Sequence, residues 1–286
     1  MSRREPLKRD KARRIAIQSR DCAFAAFAVK YRAVTREHFQ LGFGLSLHRA
    51  NKLLRRLYDA GWLQREQQPG GELIYLPGPA ALAPLADLTG EPLGALKKRT
   101  ERPGFLNHSL GLTGIVLRLE AAIKESSLMN LRSAPLVERQ AVDEFFVRQP
   151  GGREEHRLIR PDALFLLERD NRCWHVALEY DCSTVASGPF AQKAQGFFIW
   201  EASGALTQVH GDGNLLVLVV TGSERRIRNL QRVVKEEKMA ARYLFALRSE
   251  LLETPIEQLL AAPIWLHQER RVSLLGLLKG ASDAEM

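Results

Sequence analysis

The segment Asn214–Val220 constrains the fold more than any other part of the sequence. It reads Asn-Leu-Leu-Val-Leu-Val-Val, a continuous run of six apolar side chains after one polar residue. A strand with this pattern has both faces buried, so other layers of structure must cover it on two sides. The run therefore predicts a layered domain in which helices pack against a central sheet.

The neighbouring segments supply the other parts of such a domain. Residues 162–167 and 173–181 are strand-like runs joined by polar residues, and they predict a hairpin. Helical patterns occupy residues 106–125, 189–200 and 225–238. We expect an α/β sandwich (α+β) with a central mixed sheet over residues 104–248. An amphipathic helical tail at 249–286 is expected to pack on this body or to form a homodimer contact.

The first part of the chain follows another pattern. A helix is predicted from Asp21 to about Arg32, and its expected buried face consists of Ala23, Phe24, Phe27, Ala28 and Tyr31. Thr35 is expected to cap a short helix, Arg36–Gln40, with His38 in the place of the Glu of a capping box. A glycine-containing turn at 41–44 would then lead to a third helix capped by Ser46.

The third helix is predicted to be amphipathic and basic. Its expected buried side consists of Leu47, Ala50, Leu53, Leu54 and Leu57. Its other side carries His48, Arg49, Asn51, Lys52, Arg55 and Arg56. Gly61 is expected to end the helix as the residue after its cap. Two extended segments around Pro69-Gly-Gly71 then predict a hairpin that includes Arg65.

Helix, helix, turn, helix and hairpin is the order of a winged helix-turn-helix, which we assign to residues 21–78. The passage Ala50–Leu63 resembles the recognition helix and start of the wing in many bacterial regulators. A recognition helix needs an apolar back and a polar, basic front for phosphates and base edges of double-stranded DNA. Any amphipathic basic helix shares this pattern, and a winged helix used only for protein contacts is the alternative.

The distribution of charge supports a polyanionic partner. Residues 1–110 carry 20 Lys/Arg and 10 Asp/Glu. The whole chain has 42 Lys/Arg and 33 Asp/Glu, so the remaining residues carry 22 Lys/Arg and 23 Asp/Glu. A basic block on a neutral body is the electrostatic footprint of a nucleic-acid-binding protein. Binding to a ribosome or a membrane surface would give the same charge pattern.

Residues 1–20 form a basic arm, interpreted either as a flexible DNA-contacting segment or as a solvated tail. Residues 79–103 form a linker. The chain has no apolar run of the roughly 18 residues that span a bilayer, and its amino terminus is charged. Three cysteines at unrelated spacings indicate neither disulfides nor zinc. We therefore expect a cytoplasmic protein with no membrane association.

Three carboxylates are candidates for chemistry in the second domain. Asp162 stands at the start of one strand of the predicted hairpin. Glu179 and Asp181 stand two residues apart at the end of the other strand and so point to one face. Their convergence at one end of the hairpin would suit Mg²⁺, which takes one or two carboxylates and completes its shell with water and phosphate. The alternative is that these carboxylates are structural. Asp162 would then cap a turn, and Glu179 and Asp181 would form salt bridges to Lys193 or Arg160.

These residues also carry a family resemblance. Pro161-Asp162, a hairpin and then Glu179-x-Asp181 resembles the core of the PD-(D/E)XK nucleases. Together with a winged helix, Arg160-Pro-Asp-Ala163 and Leu178-Glu-Tyr-Asp181 look most like the replication-relaxation proteins of bacteria, plasmids and mobile elements. The resemblance implies metal ligands at Asp162 and Glu179 and a role in DNA replication or relaxation. His108, at the start of the long helix, also fits that family, or it is a capping or packing residue.

The sequence departs from the nuclease pattern at its lysine. Asp181 stands where the nuclease core has Lys, and Lys193 on the following helix is the candidate replacement. Glu120 and Glu138 are both candidates for a further carboxylate, and the spacing selects neither. The resemblance implies a catalytic set of Asp162, Glu179, Asp181 and Lys193 in a metal-dependent DNA-nicking protein. A transcriptional or copy-number regulator with a degenerate nuclease domain is the alternative.

Partners and cofactors follow from the same features. Besides DNA, a replication or mobilisation protein is a candidate partner. The sequence contains no Gly-rich phosphate loop of the Walker type, so we expect no nucleotide cofactor. His156, His175 and His210 lack the spacing of metal ligands.

Overall fold

Residues 18–99, 106–148, 151–182 and 187–280 are described by the computed structural model of the protein. The chain divides into two units, residues 1–117 and 118–286, and the division falls inside the helix Leu106–Glu125. The fold is a mixture of helices and strands that includes a large mixed sheet, so the predicted α+β class is confirmed. The predicted basic arm lies almost entirely outside the described residues.

The first unit begins with three helices and a small sheet. The helices are α1 (Ser19–Tyr31), α2 (Arg36–Phe43) and α3 (Leu47–Asp59). The strands are β1 (Val34–Thr35), β2 (Leu63–Gln67) and β3 (Leu73–Pro77), and they pair antiparallel in the order β1–β3–β2. The predicted hairpin at residues 62–76 is therefore present.

An aromatic cluster joins α1 to α2. The ring centroids of Phe24 and Phe43 lie 4.4 Å apart, and those of Phe27 and Phe39 lie 5.1 Å apart. Gly42 allows this approach, since an added Cβ there would lie 2.6 Å from Phe27 Cε2. The predicted α2 ended at Gln40, but the helix continues to Phe43, whose ring packs in this cluster. Ala23, predicted to face the core, is exposed.

A capping box starts α2, as predicted. The Thr35 hydroxyl accepts the His38 amide hydrogen at 3.3 Å, and the Thr35 amide donates to His38 Nδ1 at 3.2 Å. Burial lowers the pKa of His38 to about 4, with a smaller opposing effect of Glu37. The imidazole is therefore neutral near pH 7, which its role as a hydrogen-bond acceptor requires.

Helix α3 is capped at both ends by the predicted residues. The Ser46 hydroxyl accepts the Arg49 amide hydrogen at 3.4 Å. Gly61 has a φ of 77°, and the Trp62 amide donates back to the Leu57 carbonyl at 2.9 Å, which closes the C-terminus. The buried side of α3 differs from the prediction in its first turn, because Leu47 is 51% exposed.

Three further helices follow the hairpin: α4 (Leu82–Thr89), α5 (Leu93–Arg99) and α6 (Leu106–Glu125). The first two lie in the segment assigned as a linker. The bounds of α6 agree with the prediction. Leu106 and Leu110 of this helix pack against buried Ala33, Ile74 and Leu76.

The second unit is built on a large mixed sheet. Its strands are β4 (Asn130–Leu131), β5 (Leu136–Val137), β8 (Ala163–Arg169), β9 (Arg172–Asp181), β10 (Asn214–Thr221), β11 (Tyr243–Leu247), β12 (Trp265–His267) and β13 (Arg270–Val272). Among the described residues the order is β13–β12–β11–β10–β9–β8–β4, with β5 also paired to β8. Strands β9, β10 and β11 are parallel, and the other pairs are antiparallel.

The central strand is β10, at the segment from which the fold was predicted. Val217 and Val219 contribute to a core with Phe197 and Leu230, whereas Leu218 is buried on the opposite face of the strand. Both faces are thus covered. The helices of this unit are α7 (Ser187–Ala202), α8 (Ala205–His210), α9 (Glu224–Glu236), α10 (Arg248–Glu253) and α11 (Leu274–Gly280).

Two parts of this unit differ from the expected architecture. The strands β6 (Asp143–Arg148) and β7 (Glu154–Ile159) form a separate two-stranded hairpin. The segment after Ser249 is not wholly helical, because β12 and β13 extend the sheet beyond β11. Buried Trp265 anchors this addition, whereas the leucine-rich part of the segment remains largely helical, in α10 and in a short 3-10 helix at Ile256–Gln258. No described helix is long and apolar enough to cross a bilayer.

Candidate functional site

The outward face of α3 is polar and cationic. His48, Arg49, Asn51 and Lys52 are all exposed on it. The sequence of α3 contains one carboxylate, Asp59, and that residue is 7% exposed. The exposed part of the helix therefore presents positive charge and hydrogen-bond donors without a competing acid.

Two other arginines of α3 are engaged within the unit. Arg55 Nε lies 2.7 Å from Asp59 Oδ2, one turn further along the helix. Arg56 forms an ion pair with the fully buried Asp21 of α1. Both residues were predicted to contact DNA, but these pairs give them a structural task as well. The Arg56–Asp21 pair holds α3 against α1.

The hairpin lies beside α3 in the same unit. Arg65 of β2 places its guanidinium carbon 4.8 Å from the centre of the Tyr58 ring, a cation–π arrangement. Gly78, directly after β3, donates its amide hydrogen to Trp62 at 2.8 Å and so closes the base of the hairpin. These contacts fix the hairpin relative to the cationic face of the helix.

In the second unit, Asp162 lies directly before β8. Its side-chain Oδ2 accepts the Tyr180 amide hydrogen at 2.8 Å, and its own amide donates to Leu178 at 3.1 Å. These bonds tie Asp162 to the end of β9, as predicted from the hairpin. Glu138, one of the two open candidates for a further carboxylate, donates its amide hydrogen to the Asp162 carbonyl at 2.8 Å. The other, Glu120, pairs with Lys124 on α6.

Glu179 and Lys193 form a buried ion pair at the same end of β9. Lys193 Nζ lies 2.5 Å from Glu179 Oε2, and Glu179 is 6% exposed. Burial raises the pKa of Glu179 to about 8, against the opposing effect of Lys193. Burial also lowers the pKa of Lys193, but the carboxylates of Glu179 and Asp162 outweigh it and raise the pKa overall. Lys193 thus reaches the carboxylates from α7, as predicted.

Asp181 does not join this group. Arg226 Nε lies 2.5 Å from Asp181 Oδ2, and the Thr221 hydroxyl donates to the same oxygen at 3.4 Å. Although Glu179 and Asp181 share a face of β9, each meets a cation from a different helix. Within the described ranges no three His, Cys, Asp or Glu side chains group as a metal site. The three carboxylates therefore do not converge as expected: Asp181 is paired with Arg226, apart from Asp162 and Glu179.

The pair that remains fits a two-carboxylate Mg²⁺ site. Glu179 Oε1 is buried without a hydrogen-bond partner among the described residues, and so is the Tyr243 hydroxyl of β11. Burial and the nearby Glu179 raise the pKa of Tyr243 well above its usual value. Mg²⁺ is held by one or two carboxylates and keeps water and phosphate oxygens as its other ligands. Asp162 and Glu179 provide that donor set.

Tyr243 was not among the residues predicted for this site. It is 1% exposed, and its strand lies two places from Glu179 across the sheet. The segment Tyr243–Ala246 has the apolar pattern of a buried strand. This pattern could have predicted that Tyr243 lies in the central sheet beside the other parallel strands.

The structure also brings together two histidines that the spacing left apart. The rings of His175 and His210 lie 6.1 Å apart, and His210 Nε2 lies 2.8 Å from Asp143 Oδ2. His175 is 1% exposed, and burial, followed by His210, lowers its pKa. His156 instead lies on the exposed face of the β6–β7 hairpin, near Glu144.

Comparisons with known proteins agree with the resemblance. A family model described as replication-relaxation matches residues 29–211, which is more than half of the chain. Searches of curated proteins and of solved structures found no match. The matched range includes α3, the hairpin, Asp162, Glu179 and Lys193.

Proposed function

The chain belongs to the replication-relaxation family, and from this premise we propose that it is a DNA-binding protein of plasmid or mobile-element replication or relaxation. In this proposal residues 21–78 act as a winged helix-turn-helix, with α3 as the recognition helix and the β2–β3 hairpin as the wing. The order of α1, β1, α2, α3, β2 and β3 and the β1–β3–β2 sheet support it.

One observation carries the DNA-binding proposal. The exposed part of α3 presents two permanent cations, Arg49 and Lys52, and no carboxylate. Neither cation forms an ion pair with another described residue, so both remain available for phosphates. Phosphate contacts supply most of the non-specific affinity of DNA-binding proteins.

Salt-dependent binding tests the proposal. Anisotropy of a labelled duplex would be measured for the full-length chain across a series of salt concentrations. Each phosphate contact contributes about 0.9 to the slope of log affinity against log salt, so Arg49→Ala with Lys52→Ala lowers the slope by about 2. Arg232→Ala, an exposed cation on α9, is the matched control and leaves the slope unchanged. An unaltered slope in the double variant would place the recognition face elsewhere.

A second candidate function is metal-dependent nicking of DNA. The observation that favours it is the buried Glu179, with one oxygen paired to Lys193 and the other unpartnered among the described residues, beside Asp162. Buried carboxylates with strongly raised pKa values concentrate at functional sites. A bound Mg²⁺ would polarise a phosphoryl oxygen and supply a hydroxide nucleophile.

The protein's own residues have defined tasks in such a reaction. Asp162, whose Oδ2 accepts the Tyr180 amide hydrogen, would be one of the two carboxylate ligands. Glu179 must lose its proton to act as a ligand, because its pKa of about 8 keeps it largely protonated at neutral pH. Lys193 carries a positive charge that can move from Glu179 to the attacked phosphate. Asp181 is paired with Arg226 and has a structural task instead.

Nicking is tested with a supercoiled plasmid that carries the protein's native locus. Wild-type protein with Mg²⁺ or Mn²⁺ is expected to produce open circles, whereas Asp162→Asn and Glu179→Gln are expected to be inactive. Asp170→Asn is the control, since Asp170 lies in the exposed β8–β9 turn. Normal DNA binding without nicking in any metal would favour the alternative, a non-catalytic regulator whose second unit serves dimerisation or partner binding.

A further inference from the structure

The first residue of α3 is a leucine that the fold leaves uncovered. Leu47 is 51% exposed, although the helical pattern predicted it to be buried. A single exposed leucine is common on protein surfaces and by itself indicates nothing. The position of Leu47 is informative because it begins the helix whose outward face carries the exposed polar residues His48, Arg49, Asn51 and Lys52.

Asn51 lies one turn further along the same face. Side chains at positions i and i+4 of a helix are neighbours, about 5–6 Å apart at their Cβ atoms. Asn51 is exposed, and its carboxamide makes no hydrogen bond to another residue in the described part of the chain. Leu47 therefore presents an apolar group beside the carboxamide of Asn51, which can both donate and accept hydrogen bonds.

This pair matches the chemistry of an A·T base pair in the major groove. Adenine presents the N7 acceptor and the N6 donor, which an asparagine carboxamide can bind together, and thymine presents a C5 methyl group. Successive bases on one strand lie about 3.4 Å apart, so two side chains 5–6 Å apart reach the same pair or adjacent pairs.

Resting on the DNA-binding function proposed above, we propose that Leu47 and Asn51 read adenine and thymine in the major groove. Asn51 binds N6 and N7 of one adenine, and Leu47 packs against the methyl group of a thymine in the same or the neighbouring pair. Arg49 and Lys52 hold the duplex by its phosphates, and the exposed part of α3 has no carboxylate to repel it. The partner is thus a duplex that contains a defined A·T position.

The test begins with selection of duplexes from a random library by the full-length protein. Each thymine of the selected site is then replaced by deoxyuridine, which removes only the C5 methyl group. One replacement is expected to weaken wild-type binding about fourfold, the effect of one buried methyl-sized group. The same replacement leaves Leu47→Ala binding unchanged, whereas Leu47→Met, which keeps an apolar contact, stays sensitive. Asn51→Ala is expected to lose roughly tenfold or more of the preference for adenine over other bases at one position of the site.

The outcomes separate this inference from the proposed function. Equal sensitivity of wild type and Leu47→Ala to every replacement, or no sensitivity at all, overturns the assignment of Leu47 while DNA binding stands. A selected site without a fixed adenine overturns the assignment of Asn51. Failure of the wild-type protein to bind any duplex refutes the DNA-binding proposal itself and favours a winged helix that contacts proteins. Because both side chains are exposed, urea denaturation is expected to show unchanged folding of all three variants.

Discussion

Acidification is expected to destabilise the first unit through one histidine. The ring of His38 accepts the Thr35 amide hydrogen at Nδ1, and an added Cβ on Gly114 would lie 3.4 Å from its Nε2. Protonation would place a donor where the capping box needs an acceptor, inside a partly buried site. The folded protein therefore resists protonation of His38.

The sign and size of the effect follow from the pKa. The pKa of His38 is lowered from 6.5 to about 4 in the folded protein. A lowered pKa contributes stability that is present above pH 6.5 and is lost as the pH falls toward 4. With about 1.4 kcal/mol for each pKa unit, the free energy of unfolding falls by roughly 2 kcal/mol between pH 7.5 and pH 5.

His38→Gln provides the decisive comparison. Glutamine at this position accepts the Thr35 amide hydrogen at every pH, so the capping box persists in acid. We expect urea denaturation to show about 2 kcal/mol less pH dependence in His38→Gln than in wild type. His48→Gln, which replaces an exposed histidine of α3, is the control and keeps the wild-type dependence.

An NMR titration of the His38 ring measures the pKa directly. A value near 6.5 in the folded protein, or an identical loss of stability in wild type and His38→Gln, would refute this reasoning.

Two further predictions concern buried ion pairs. Lys193→Met is expected to lower the free energy of unfolding at pH 9 by about 1.4 kcal/mol, because Glu179, whose pKa is about 8, is mostly ionised there and would lose its cation. The loss should shrink toward pH 5, where Glu179 is protonated; equal losses in urea denaturation at both values would contradict its raised pKa. Arg56→Met is expected to cost about 3 kcal/mol at pH 7.5, since it leaves the buried carboxylate of Asp21 unpaired. The control Arg49→Met should leave the urea midpoint unchanged. If Arg49→Met and Arg56→Met lowered the free energy of unfolding by similar amounts, the Arg56–Asp21 pair would contribute little to stability.

Features with strong local signals were predicted from the sequence. The capping box at Thr35 and His38, the glycine stop at Gly61 and the apolar strand at Asn214–Val220 each depend on residues within a few positions of one another. The Glu179–Lys193 pair was also foreseen, as the structural alternative to a metal site. It connects a strand end to the next helix, so its partners are close in the sequence.

The features that the sequence did not predict depend on distant contacts. Asp181 meets Arg226, 45 residues away, through the parallel pairing of β9 with β10. The exposure of Leu47 is set by where other elements stop covering α3, and helical periodicity carries no information about that limit. The strands β12 and β13 depend on the edge that β11 offers for pairing, and the apolar residues that predicted a helical tail lie before them, at 251–260.

The pairing of β12 with β11 has a consequence for the protein's behaviour in solution. Four of the five residues of β11 are buried, and the strand would have an unpaired side if the chain were cut after Glu253. Long apolar strands with a free edge pair with other molecules and start aggregation. The actual sheet ends instead in the three-residue β13, where Arg270 and Arg271 are exposed. The C-terminal segment thus protects the sheet from self-association.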